Sequence, residues 1–216
     1  LISFLTASAI TLSANADTVI KDYVKQIGFI DVPGGSFQMG FSEVGGFPNE
    51  KPAHKVTIKP FKMMSHEVTQ AFYQKIMGNN PSSNKSCGSN CPVVEVSLEK
   101  LATFIKTLNS KTGLTFRLPT EAEWEYACRS GGLPTGGKPW LQNTHCINEN
   151  STAVDQLDYE WIKFNSSSIM EVGIKKPNDL GFYDMSGNVS EVVQDCFNEN
   201  YNGAPTDGSA WLSGDC

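Results

Sequence analysis

The stretch Thr115–Gly132, TFRLPTEAEWEYACRSGG, poses the question on which the reading of this chain turns. Glu121, Glu123 and Glu125 stand at alternate positions around Trp124. They are either an acid/base cluster or the start of a helix. Thr120 followed by Glu123 has the S/T-x-x-E spacing of a capping box, in which the Thr oxygen accepts the N3 amide and the Glu carboxylate accepts the N-cap amide. Pro119 keeps the preceding chain out of the helix. Glu121 falls in the first turn, where a negative charge suits the helix dipole. On a helix, Glu123 points roughly 200° away from Glu121. Glu121 and Glu125 share a face and repel mildly. The three carboxylates cannot meet at one substrate atom, and Trp124, Tyr126 and Ala127 offer packing surface. Helix architecture explains the glutamates, so chemistry is sought elsewhere.

Working outward, the flanking segments alternate in period. FIDVPGGSFQMG reads as a hairpin, Phe29 to Val32 and Ser36 to Met39, around Pro-Gly-Gly. HKVTIKPFKMM alternates through Val56, Ile58 and Phe61 as one half-buried strand. The next segment changes to helical spacing: Thr69 caps, Phe72, Tyr73, Ile76 and Met77 form a face, and Gly78 terminates. Ser97 caps a second helix with the stripe Leu101, Phe104, Ile105 and Leu108, and Gly113 lies past its end. From Gly131 to about Glu171 the chain reads as loop. A loop that long points to a functional surface or bound ions. Asn178-Asp179 and Ser186-Gly187-Asn188 then supply turns between apolar positions. The fold class is α+β.

Composition sets the outer bounds. The 216 residues are 39% hydrophobic and 19% charged, which supports a packed core. Nineteen glycines and eleven prolines imply many loops. A net charge of −6 without a basic stripe argues against nucleic-acid binding. The opening run LISFLTASAITLSANA is apolar and ends in the small-x-small site Ala14-Asn15-Ala16. It breaks before the roughly 20 apolar residues that a membrane span needs. It is read as a signal peptide over residues 1–16 that lacks its first residues, with a buried first strand or helix as the alternative. The mature domain, residues 17–216, is then expected to be periplasmic or secreted, without a transmembrane segment. Export gives an even count of six cysteines the meaning of disulfides. Cys87 and Cys91 enclose only Gly88-Ser89-Asn90, which suits a local bridge. The other four remain open at this point.

Six segments together resemble the formylglycine-generating enzyme, or sulfatase-modifying factor, family. They are GGSFQMG (34–40), NEKPAHKVTIKPF (49–61), EVTQAFY (67–73), CPVVEVS (91–97), RLPTEAEWEYACRSGG (117–132) and LGFYDMSGNVSEVVQD (180–195). The match runs in order from about Phe29 to Asp195. The resemblance implies a C-type-lectin-like fold with low regular secondary structure and long ordered loops. It implies an oxygen-dependent oxidation of a cysteine-bearing protein or peptide substrate. It also implies a copper(I) cofactor held by two cysteines of a segment that opens with an RGGSW-like motif. The sequence stops at Cys216, about where that segment is expected, so the catalytic pair is not in view. A related branch holds iron through histidines, which His54, His66 and His145 do not reproduce. The alternative is a non-catalytic, calcium-stabilised binding domain on the same scaffold.

The resemblance also implies a calcium loop. Its ligands on this chain would be the Asp184 side chain, the Gly187 and Val189 carbonyls, and the Glu191 carboxylate. Such a mix of carboxylates and main-chain oxygens suits Ca²⁺. A second family site has Asn148 as its nearest candidate. For the remaining cysteines the expected bridges are Cys128–Cys146 and Cys196–Cys216, beside Cys87–Cys91. Three positions depart from the family: Ser190, Val192 and Leu98 stand where tryptophans are usual. Their loss is expected to reshape or repack the region near the site.

Overall fold

A computed structural model describes residues 5–8, 18–41, 47–132, 157–163 and 165–216. Six short strands and four α-helices lie among them. In chain order they are β1 (Thr6–Ser8), α1 (Thr18–Gln26), β2 (Phe29–Val32), β3 (Gly35–Met39), β4 (His54–Ile58), β5 (Phe61–Met64), α2 (Gln70–Met77), α3 (Leu98–Thr112), β6 (Thr115–Arg117) and α4 (Glu121–Cys128). The strands form a four-stranded sheet, β2-β5-β1-β6, and a two-stranded sheet, β3-β4. Regular structure is modest, and residues 157–216 are turns and isolated bridges where described.

The hairpin expected around Pro33-Gly34 does not form. β2 pairs with β5, Val32 opposite Phe61, and β3 pairs with β4, Gly35 opposite Ile58. The single strand expected over HKVTIKPFKMM is likewise two strands, broken at Lys59-Pro60. The reason is the same at both places. Pro33 and Pro60 carry no N–H and cannot continue a ladder. The two chains turn the corner side by side and change sheets together. The corner is tight: a Cβ on Gly34 would stand 2.6 Å from the Ile58 carbonyl oxygen.

Helix boundaries follow the capping residues. The Thr69 and Ser97 side chains accept the amides of Phe72 and Lys100, at 3.1 and 3.3 Å. Gly78 and Gly113 close α2 and α3 in the left-handed region, with φ of 79° and 68°, where a Cβ is penalised. Phe104 of α3 stacks on Tyr73 at 5.0 Å and meets Phe72 edge-on at 5.8 Å. These rings join Val56, Met63, Leu108 and Phe116 in one buried core. α1, for which no element was expected, adds Ile20 and Val24 to it.

Of the opening apolar run, residues 5–8 are described. β1 lies between β5 and β6, antiparallel to both. Leu5 is fully buried, and the Thr6 hydroxyl lies within hydrogen-bonding distance of the carbonyls of Arg117 and Leu118. Among the described residues, no helix is long and apolar enough to cross a membrane. Cys87–Cys91 and Cys196–Cys216 are disulfide-bonded. Cys128 is buried and disulfide-bonded, while its expected partner Cys146 lies outside the described residues, as do His145 and Asn148.

Candidate functional site

Helix α4 begins with the full capping box. Glu123 N–H donates to Thr120 Oγ1 at 3.1 Å, and Thr120 N–H donates to Glu123 Oε2 at 2.9 Å. Glu123 also takes two 2.6 Å hydrogen bonds from the Arg117 guanidinium, which turns it away from its neighbours. Glu125 is buried and paired with Arg129 at 2.7 Å, and it accepts the Gly40 amide at 3.0 Å. Glu121 accepts the Tyr201 hydroxyl at 2.9 Å. The three glutamates therefore have separate partners. Glu121 and Glu125 do face one cavity, of about 910 Å³, whose walls also include Trp124, Trp161, Glu191 and Tyr201.

Burial raises the Glu121 carboxyl from the ordinary 4.5 to about 7, against the Tyr201 hydrogen bond and helped by the charges of Asp195, Glu125 and Glu50. Below pH 4.5 the group is protonated in the folded and unfolded chains alike. Between 4.5 and 7 the unfolded chain ionises while the folded one keeps its proton, so stability falls as pH rises, and the loss is complete above 7. Glu121→Gln keeps the acceptor for Tyr201 and removes the charge. Its melting temperature is expected to equal that of the parent at pH 4. At pH 8 it should be higher by roughly 2–8 °C, for about 1–2 kcal/mol. Scanning calorimetry at the two pH values checks this; an equal difference at both would refute it.

Against α4 packs the loop Leu180–Glu191. Phe182 and Met185 anchor it in the core. Asn178 Oδ1 accepts the Leu180 and Phe182 amides, while its Nδ2 donates to the Ala127 and Cys128 carbonyls at the end of α4. The Tyr183 amide donates to the Ser65 carbonyl at 2.8 Å. Gly187 passes so close to Trp161 that a Cβ would lie 2.0 Å from its carbonyl oxygen, and its φ is 108°. Asp184 and Asn188 hold φ of 57° and 54°, a conformation Asp and Asn tolerate better than most residues.

Two carboxylates of this loop are only half satisfied. Asp184 is 2% exposed; its Oδ2 accepts the Gly173 amide at 2.7 Å, and its Oδ1 is buried without a hydrogen-bond partner. Glu191 Oε2 accepts the Trp124 indole N–H, and its Oε1 is likewise buried and unpartnered. Burial pushes Asp184 up to about 6, opposed by the Gly173 hydrogen bond and the Lys175 charge. Glu191 is pushed well above the usual carboxylate range by burial, with Asp184 adding to the effect. A buried acceptor left idle costs free energy unless something fills it. Gly187 and Val189 line the cavity beside Glu191. Among the described residues, no three His, Cys, Asp or Glu side chains form a metal-binding group. A cation here would rest on two carboxylates and main-chain oxygens, a donor set that suits Ca²⁺.

The other expected residues lie elsewhere. His54 packs edge-on against Tyr201 at 5.1 Å, and His66 lies 2.8 Å from the Glu67 carbonyl oxygen. Ser190 lines the cavity, Val192 packs on the core, and Leu98 is 62% exposed at the start of α3. Glu67 was not anticipated at the site. It is fully buried and accepts a hydrogen bond from Asn188, 121 positions away. No local spacing signals such a contact, although Glu67 opens the quoted segment EVTQAFY.

The chain resembles several known proteins in sequence and in fold. The chain is 28% identical over 198 residues to the chaperone protein LppX of Paenibacillus barcinonensis, covering 69% of this chain and 68% of the relative. It is 25% identical to the formylglycine-generating enzyme of Mus musculus over 77% of this chain, and spans 57% of that enzyme. The structure of PvdO from Pseudomonas aeruginosa superposes with a TM-score of 0.69 at 32% identity, covering 87% of this chain and 78% of that one. The fold is thus the C-type-lectin-like fold of the formylglycine-generating enzymes. The model of the sulfatase-modifying factor enzyme 1-like domain matches residues 16–216, and the chain belongs to that family.

Proposed function

We propose that this chain is an exported, calcium-stabilised domain of the sulfatase-modifying factor family, whose cavity beside α4 binds a protein or peptide segment. The observation that carries the reading is the pair of buried, idle oxygens, Asp184 Oδ1 and Glu191 Oε1, on one loop. Asp184, the Gly187 and Val189 carbonyls and Glu191 would hold the ion. The disulfides support a periplasmic or secreted location. Trp124 and Trp161 give the cavity the apolar surface that peptide binding needs.

A second reading, oxygen-dependent oxidation of a cysteine-bearing peptide, is favoured by the similarity to the mouse enzyme. Copper(I) chemistry requires free thiolates. Among the described residues there is no free cysteine, so these residues do not fit a copper site. The oxidation reading needs donors from outside this set.

Calcium is tested directly. Protein prepared in chelator and dialysed free of it should bind one equivalent of Ca²⁺ by calorimetry. Terbium should replace it, with luminescence sensitised by Trp124, whose indole bonds Glu191. Asp184→Asn, which keeps the φ preference of the site, should lose both signals. Absence of heat and of luminescence in the unmutated chain would overturn the reading.

A further inference from the structure

The bridged turn from Cys87 to Cys91 grips two parts of the molecule at once. It encloses Gly88, Ser89 and Asn90, with the cysteine Cα atoms 6.0 Å apart. Ser89 and Asn90 are exposed, and Cys87 is partly so. The Cys91 and Ser89 carbonyls accept the Gln70 and Ala71 amides, the first two of α2, at 2.8 and 2.9 Å. A helix start leaves such amides without intrahelical partners; the Thr69 side chain covers that of Phe72. The Asn90 carbonyl accepts the Val172 amide at 3.1 Å, and Cys87 Sγ lies 3.0 Å from the Ile169 carbonyl oxygen.

The segment held in this way, residues 166–172, is a wall of the cavity, which Ser166, Ser168 and Ile169 line. Its middle is tied separately, because Met170 shares two hydrogen bonds with the Asn188 side chain. Closing so short a loop constrains the unfolded chain less than closing a long one. The bridge therefore acts on local shape: it moors the cavity wall to the start of α2. The reduced state is also provided for. A disulfide sulfur has no proton, but a Cys87 thiol would donate one to the Ile169 carbonyl already beside it. Cys91 is fully buried, an environment that a free cysteine tolerates well. Once reduced, Cys87 can stay with the wall while Cys91 stays with α2.

We infer that the Cys87–Cys91 bridge is a redox latch on this cavity: closed, it fixes the 166–172 wall against α2, and opened, it lets that wall move and release a bound peptide. The inference rests on the reading that the cavity binds a peptide segment. Opening takes two electrons and two protons, which a dithiol reductant supplies. Its thiolate attacks the Cys87 sulfur, the more exposed of the two, and Cys91 leaves and takes up a proton. The second thiol of the reductant then resolves the mixed disulfide, Cys87 is protonated, and the reductant departs as its own disulfide.

Hydrogen exchange on the full chain reads the latch without any ligand. After dithiothreitol treatment of the folded protein, Cys87 should become open to alkylation. The amides of Gln70, Ala71 and Val172 should exchange roughly 5- to 10-fold faster, the effect of losing one ordinary hydrogen bond each, with the β3-β4 sheet unchanged. Cys87→Ser/Cys91→Ser should show the same rates without reductant, and Cys196→Ser/Cys216→Ser should leave these three amides at the parent rate. On an array of unrelated peptides, those bound by the oxidised chain should be lost on reduction. A Cys87 that resists alkylation, unchanged rates at the three amides, or unfolding of the whole chain on reduction would make the bridge a fixed staple and overturn the inference. If exchange quickens while no peptide binds either form, the peptide reading fails and the mechanical latch stands. If peptides bind both forms alike, the latch is lost and the peptide reading stands.

Discussion

Replacing Arg129 by Met is expected to lower the melting temperature by about 6–20 °C. The Arg129 side chain is 5% exposed and Glu125 is 8% exposed, 2.7 Å apart. The guanidinium also donates to the Gln38 carbonyl of β3 and lies 5.4 Å from the Phe37 ring. Glu125 in turn accepts the Gly40 amide just past β3. Removing Arg129 leaves a buried carboxylate with no neutralising partner, at a cost of about 3–5 kcal/mol. For a chain of this length, each kcal/mol shifts the melting temperature by roughly 2–4 °C. The double variant Glu125→Gln/Arg129→Met removes the orphaned charge as well, and should recover a clear part of the loss. Thermal unfolding of the three proteins decides it. A double variant no better than the single one would mean that packing, not the unpaired charge, sets the cost.

On the proposed calcium reading, removing the ion should be the second large effect. An ion that binds only the folded chain stabilises it by about 2.7 kcal/mol at a concentration 100 times its dissociation constant. That corresponds to a fall of about 5–11 °C when chelator is added. The loop has few apolar anchors besides Phe182 and Met185, so its order leans on polar contacts. Magnesium should restore little, because it demands near-octahedral geometry and sheds water reluctantly. A melting temperature indifferent to chelator would count against an ion in this loop.

The parts of the fold legible beforehand were those governed by neighbours in sequence. Thr69, Ser97 and Thr120 announce their helices because a cap acts within three residues. Gly78 and Gly113 end theirs for the same reason. The Cys87–Cys91 spacing is equally local. The β2–β3 region misled because alternation reports which side chains point inward and not which strand is the partner. Pro33 and Pro60 were the available warning, since each interrupts a ladder. α1 carries a usable signal in Ile20, Val24 and Ile27, at i, i+4 and i+7, but it adjoins an apolar run with the pattern of an export signal. The candidate site was legible only as a loop. Asp184 and Glu191 were named from a family pattern, whereas the Glu67–Asn188, Trp124–Glu191 and Tyr201–Glu121 contacts span 121, 67 and 80 positions. Contacts that distant arise from the packing of the whole chain.

Asn178 has a mechanical consequence. One amide side chain grips the last carbonyls of α4 with its nitrogen and the start of the acidic loop with its oxygen. The helix that carries Glu121 and Trp124 into the cavity therefore shares a rigid mount with the loop that carries Asp184 and Glu191. Losing that one amide would cut four hydrogen bonds at once and free the end of the helix from the start of the loop.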